Sequence, residues 1–218
     1  MSLKIYTFYS DSHEVLLEKY FLPSFEKTNK DIELKIKKIN QKCKSGDYMS
    51  SGWYEAMINK VDYILESIEE TWGGLFVHSD CDVQFFKPIK DDLVSQLGDK
   101  DFAAQDDGGE MCCGFFICKS NDRTKKLFEN VKKEMNEKFN DQQATNKIIN
   151  KYASHKFLDY KYYSIYRKTN KKQWNKEMNI NYSEIPKEII AYHANWTVGL
   201  KNKIELMNIL KKEIGYNI

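Results

Sequence analysis

The chain has 218 residues and a formal net charge of +2, from 34 Lys and Arg against 32 Asp and Glu. Hydrophobic residues make up 41% and charged residues 30%, a globular mixture that suits one domain and excludes disordered, collagen-like and disulfide-scaffold classes. The near-balanced charge gives no basic footprint for nucleic acid, and no apolar run approaches the about 18 residues that cross a bilayer.

Leu3–Tyr9 alternates apolar and polar residues and predicts a strand. Ser10, Asp11 and Ser12 then supply N-cap chemistry for a helix to about Lys27. Ile32–Ile39 alternates again and reads as a second strand. Trp53–Ile68 has apolar residues at helical spacing and is broken by Gly73-Gly74. Leu75–Val77 is a short apolar run, the pattern of a buried strand. A short helix is predicted around Asp91–Leu97, and strands at Phe102–Ala104 and Phe115–Cys118, with the polar stretch Gln105–Glu110 between them. Thr124–Phe139 and Gln142–Tyr152 read as helices, Tyr160–Tyr166 and Ile189–His193 as strands, and Lys201–Ile214 as a final helix. Strands alternating with helices predict an α/β sandwich around a mostly parallel sheet. There is no repeat and no Gly/Ser linker, so residues 1–218 read as one domain, or as one domain of a longer protein.

Met1–Ser10 lacks the charged-then-apolar order of a signal peptide. The five cysteines, Cys43, Cys81, Cys112, Cys113 and Cys118, are odd in number and match no zinc spacing. The expectation is a soluble cytoplasmic protein with reduced thiols.

Four features carry chemistry. Asp80-Cys81-Asp82 ends an apolar strand, and in open α/β sheets ligands sit outside the carboxyl ends of strands. Two carboxylates there converge on one hard cation, Mn²⁺ or Mg²⁺; elsewhere such a pair is an ordinary surface turn. Ala191–Trp196 places His193 at another strand end, as a structural residue or as a further metal ligand. Gly199 lets backbone approach a phosphate, and Lys201 or Lys203 can neutralise one. Asp141 and Gln142 open a helix, either as an ordinary N-cap or as groups facing sugar hydroxyls. Gly114, after Cys112-Cys113, marks a turn or bulge or leaves room for a bound sugar.

In this order the features resemble the GT-A glycosyltransferases of the nucleotide-diphospho-sugar transferase group: a strand ending in D-x-D, a G-F-x strand, D-Q-x-x-x-N, then H-x-N-W. The resemblance runs from Lys4 to about Leu210 and is similar to that of compact, virus-encoded transferases. It implies a three-layer α/β/α fold with a mostly parallel mixed sheet. It further implies Asp80 at the ribose and metal, Asp82 on the metal, and His193 as the remote third ligand. Thr7, Phe8 and Tyr9 would hold the base and ribose, Lys60 the diphosphate or sugar, and Gly199 and Lys201 the diphosphate. Asp141 and Gln142 would line the donor-sugar pocket, with Gly114 and Asn195 in the same donor site. The Cys112-Cys113 pair departs from the Asn or Ser that relatives carry there.

The implied reaction is metal-dependent transfer of a sugar from a nucleotide-diphosphate donor, a UDP-sugar such as UDP-glucose by family tendency, to a hydroxyl of a glycan or other acceptor. An inverting enzyme needs a carboxylate base near that hydroxyl, with Asp106, Asp107, Glu110 and Asp141 as candidates. A retaining enzyme needs none there, and the sequence leaves the two open. A nucleotidyltransferase is disfavoured because residues 5–15 contain no glycine. A non-catalytic sugar-binding or scaffold module is the alternative of another class. Tyr160, Tyr162, Tyr163, Tyr166 and Trp174 would serve it as stacking surfaces, or pack a core.

Overall fold

A computed structural model describes residues 2–43, 47–48, 50–164, 188–195 and 197–216. The expected positions Tyr166, Trp174 and Trp196 lie outside the described residues.

Six strands form the main sheet: β1 (Lys4–Tyr9), β2 (Glu33–Lys38), β3 (Leu75–Ser79), β5 (Phe102–Asp106), β6 (Met111–Lys119) and β7 (His155–Phe157), in the order β2-β1-β3-β6-β5-β7. Only β6 runs against its neighbours, β3 and β5; the other pairings are parallel. The sheet is therefore mixed and mostly parallel, as expected. A second sheet, β4 (Val83–Phe85), β9 (Ala191–His193) and β8 (Tyr162–Ser164), has the order β4-β9-β8.

Strand alternation sorts side chains onto two faces. Ile5, Val77, Ala103, Phe115 and Ile117 join one core cluster, under α1 (Glu14–Leu16), α2 (Leu22–Thr28), α4 (Lys90–Leu97), α7 (Leu200–Glu213) and the small sheet. Tyr6, Phe76, Phe102, Phe116 and Cys118 point the other way, under α3 (Trp53–Glu70), α5 (Asp122–Glu134) and α6 (Asp141–Tyr152). These are the three layers.

Several boundaries differ from expectation. The helix predicted after Ser10 is a 3-10 turn at Asp11–His13, then α1, a π turn at Leu17–Phe21, and α2. Pro23 sits in the first turn of α2 and has no N–H, so the preceding turn cannot keep a regular i→i−4 ladder. α5 ends at Glu134, not at Phe139: Met135 turns extended, and Asn136 and Phe139 pair in a short bridge. β6 begins at Met111, so Cys112, Cys113 and Gly114 lie inside a strand instead of before one. The cap of α6 is Asn140, whose side chain accepts from Gln143 N (2.8 Å) while Gln143 Oε1 accepts from Asn140 N (3.0 Å). Asp141 is thereby freed from capping.

Of the aromatic set, Tyr162 and Tyr163 are buried core and Tyr160 packs against it. Tyr162 stacks on Phe115 with centroids 5.5 Å apart, and Tyr163 lies 5.8 Å from Tyr192. All five cysteines are buried free thiols. No helix among the described residues is long and apolar enough to cross a membrane.

Candidate active site

The D-x-D stretch leaves the main sheet at a fixed point. Ser79 pairs with Phe115, and the ladder runs one step further through Asp80 N to Gly114 O (2.7 Å). The chain then enters β4, which pairs antiparallel with β9 in the register Val83↔His193. That register, with Ala194 N bonded to Asp82 O (3.0 Å), sets His193 beside Asp82 although the two are far apart in sequence. His193 Nε2 lies 3.2 Å from Asp82 Oδ1. One ligand atom from each of Asp80, Asp82 and His193 falls within 4.8 Å of the others.

Gln105 orients the imidazole. Its amide nitrogen donates to Tyr162 O (3.1 Å), which turns its carbonyl oxygen toward His193 Nδ1 (3.0 Å). An acceptor at Nδ1 requires the proton there, so the neutral ring carries its lone pair on Nε2, facing Asp82. Two carboxylates and an imidazole lone pair suit a divalent cation that takes oxygen and nitrogen ligands, and the carbonyl behind the histidine is the usual outer-shell support.

Two lysines neutralise the carboxylates. Lys60 projects from α3 with a side chain only 4% exposed, and its Nζ lies 3.0 Å from Asp80 Oδ1 and 3.2 Å from Asp141 Oδ2. Burial works against this ammonium, but Asp141 and Asp80 outweigh it and hold its pKa above the ordinary lysine range. Burial would likewise raise the Asp80 pKa, yet Lys60 and His78 hold it well below the usual carboxylate range. For Asp82 the same cost is outweighed chiefly by Lys203, which is hydrogen-bonded to Oδ2, and its pKa also lies well below the usual carboxylate range.

Gly114 makes this packing possible. A Cβ there falls 2.4 Å from His193 Cε1 and 2.7 Å from Asp80 Oδ2. The missing side chain makes room for His193 and Asp80 themselves. Gly114→Ala must displace a buried histidine or a clamped aspartate, at a cost of about 1–3 kcal/mol. A thermal melt should fall by several degrees, and an unchanged melt would show that the ligand set yields to the methyl.

These groups open into a cavity of about 450 Å³. Its lining includes Phe8, Tyr9, Ser10, His13, Gln41 and Met57, and also Asp107, Gln142 and Asn195. Asp107 is buried and held from both sides: Gln142 Nε2 donates to Oδ2 (2.7 Å) and Asn195 Nδ2 to Oδ1 (2.9 Å).

Of the expected site residues, Phe8, Tyr9, Lys60, Asp80, Asp82, Asp107, Glu110, Gly114, Asp141, Gln142, His193, Asn195 and Gly199 all line this cavity. Three do not. Thr7 is fully buried within β1, short of the strand end where the cavity opens. Asp106 accepts from Gly109 N (2.8 Å) in the β5–β6 turn. Lys201 is exposed, and Lys203 is the lysine that reaches Asp82. His13, Gln41, Met57 and Gln105 were missed: none stands in a motif, and only the fold brings them to the site.

A model of the family described as nucleotide-diphospho-sugar transferase matches residues 22–207. Among solved structures, the chain is similar to the glycosyltransferase GlyE of Streptococcus pneumoniae TIGR4, at 14% identity and TM-score 0.55, over 97% of this chain and 59% of that one. The apo form of GlyE gives a TM-score of 0.56 over the same shares. It is also similar to a glycosyltransferase involved in glycosylation of the major capsid of PBCV-1, at 10% identity and TM-score 0.58, over 96% of this chain and all of that one. The chain thus spans 59% of the length of GlyE. At these identities the structures speak for the fold, which is of the GT-A type. No curated protein matches the sequence.

Proposed function

The chain belongs to the nucleotide-diphospho-sugar transferase family, and on that premise we propose that it is a metal-dependent glycosyltransferase using a UDP-sugar such as UDP-glucose. The observation that carries the proposal is the convergence of Asp80, Asp82 and His193 within 4.8 Å, beyond the carboxyl end of β3.

In the proposed reaction an acceptor hydroxyl oxygen bonds to the anomeric carbon as the bond to the diphosphate oxygen breaks. The electron pair leaves on the diphosphate and the hydroxyl proton passes to a base. Asp80, Asp82 and His193 would hold Mn²⁺ or Mg²⁺, which supplies Lewis acidity toward the leaving diphosphate. Lys203 stands beside Asp82 and adds positive charge aimed at the same oxygens. Lys60 holds Asp80 and Asp141 together, bridging α3 to the start of α6. Phe8 and Tyr9 wall the end assigned to the base and ribose, and Gly199 the diphosphate.

Asp107, Asn195 and Gln142 are assigned to the sugar end. With two amide donors on its oxygens, Asp107 is pre-aimed to accept a further hydrogen bond from a sugar or acceptor hydroxyl. Asp141 is a poorer candidate for the base, because Lys60 already engages it. The acceptor is proposed to be a glycan or glycoconjugate hydroxyl.

A donor screen by thermal shift tests this reading. UDP, GDP and their sugars are added with and without Mn²⁺ to the wild type and to Asp82→Ala. A ligand at 100 times its dissociation constant adds about 2.7 kcal/mol, which raises the melting temperature by several degrees. A metal-dependent rise with one nucleotide class, lost in Asp82→Ala, is expected. No rise with any nucleotide would remove the transferase reading and leave the sugar-binding module.

A further inference from the structure

The two lysines at the cation ligands are not equivalent. Lys60 is locked between two carboxylates, with contacts of 3.0 and 3.2 Å to Asp80 and Asp141, and is almost wholly enclosed. Lys203 meets one carboxylate, Asp82, and one carbonyl, Ala194 O at 2.8 Å. Its side chain is 15% exposed and lines the cavity from the first turn of α7, just after Gly199. A four-carbon stem carrying a compact ammonium can change partners by rotating about its own bonds. Lys60 has nowhere comparable to go.

The charges add to a definite state. Asp80, Asp82 and Asp141 bring three negative charges, and Lys60 and Lys203 bring two positive ones. His193 faces Oδ1 of Asp82 while Lys203 holds Oδ2. An ammonium on one oxygen of a carboxylate weakens what the other oxygen offers a cation, and it repels that cation directly at short range. A nucleoside diphosphate in the cavity presents the alternative partner, since its anionic oxygens attract the same ammonium.

We propose that Lys203 is an exchanging counter-ion: it occupies Asp82 when no nucleotide is bound, moves to the donor diphosphate when one arrives, and so makes metal binding tight only together with nucleotide. The inference rests on the donor and metal site proposed above. Beside the charge that Lys203 adds at the diphosphate, the inference assigns it the order and coupling of binding.

The experiment is a Mn²⁺ titration of the intact chain, reading free Mn²⁺ by its electron paramagnetic resonance signal, alone and with UDP or GDP. For the wild type, the nucleotide is expected to tighten Mn²⁺ binding more than about tenfold, a coupling of about 1.4 kcal/mol. Lys203→Met keeps the length and removes the charge. It should bind Mn²⁺ alone at least about tenfold more tightly than the wild type, and nucleotide should then tighten it less than about threefold. Lys203→Gln is the second variant if Lys203→Met melts early, and it should behave alike. Mn²⁺ binding to the folded variants no tighter than to the wild type overturns the inference while leaving the metal–nucleotide site standing. A wild type that binds Mn²⁺ neither alone nor with nucleotide overturns the metal-dependent reading, and this inference with it.

Discussion

Asp82→Asn is expected to lower sugar transfer by about a hundredfold to a thousandfold, the range seen when one pre-aimed electrostatic group is removed from a reacting centre. The substitution changes little in shape. An asparagine oxygen can still accept from Lys203, and Val83↔His193 pairing is made by the backbone. What disappears is the negative charge that Lys203 and His193 both face. With it goes one of three ligand atoms gathered within 4.8 Å, so a donor whose leaving group needs charge compensation loses it. The loss should appear mainly in kcat, because the developing charge on the diphosphate is greatest in the transition state. Asp62→Asn provides the contrast: it removes the exposed ion pair with Lys132 across α3 and α5 and should leave transfer within about twofold. Steady-state kinetics on both variants, with melts to confirm folding, decide the matter. An Asp82→Asn enzyme that retains a tenth or more of wild-type kcat would move the charge-compensating role elsewhere.

Much of this site is legible in the sequence, and the reasons differ residue by residue. Asp80 and Asp82 announce themselves because an apolar strand precedes them, and strand ends are where sheets bind ligands. His193 is harder. Its place depends on β4, three residues long, and no periodicity test detects a strand that short. The same holds for β7, which only its register with β5 defines. Lys203 was named beside Lys201, and the helix pattern separates the two. Lys203 stands three, four and seven residues before Leu206, Met207 and Leu210, which are buried, so it shares their stripe. Lys201 is two residues earlier, about 200° around the helix, and therefore faces solvent. Thr7 sits too deep: the strand containing it was right, but the cavity reaches only its last two residues, Phe8 and Tyr9. Asp106 was misplaced for a local reason, since its side chain closes the turn to Gly109. Gln105 could not have been found, because its role comes from Tyr162 and His193, which two other strands deliver.

Asp101 lies outside the site, and its removal should produce the largest loss of stability. This carboxylate is fully buried and accepts five hydrogen bonds: Ser154 N (2.9 Å), Ser154 Oγ (2.8 Å), Asn121 Nδ2 (3.0 Å), Arg123 Nε (3.1 Å) and Arg123 Nη2 (2.6 Å). It therefore ties the start of β5 to the N-terminus of α5 and to the turn between α6 and β7. Burial alone would raise its pKa, but the Ser154, Arg123 and Asn121 donors outweigh burial and bring it down to about 2 from 3.8. A folded value below the unfolded one means that the carboxylate stabilises the fold. By linkage that contribution is about 2 kcal/mol, fully present above pH 3.8 and lost as pH falls through about 2. Asp101→Ala also strands donors that the carboxylate had satisfied, so the total cost near neutrality is about 2–4 kcal/mol, or roughly 5–15 °C in melting temperature for a chain of this size. Denaturant unfolding of both proteins across acid pH carries the sign. The gap between them should be constant near neutrality and should narrow as pH drops from 3.8 toward 2, because the wild type then gives up what the variant never had. A gap that stays the same down to pH 2 would assign the loss to packing alone and take the carboxylate's charge out of the account.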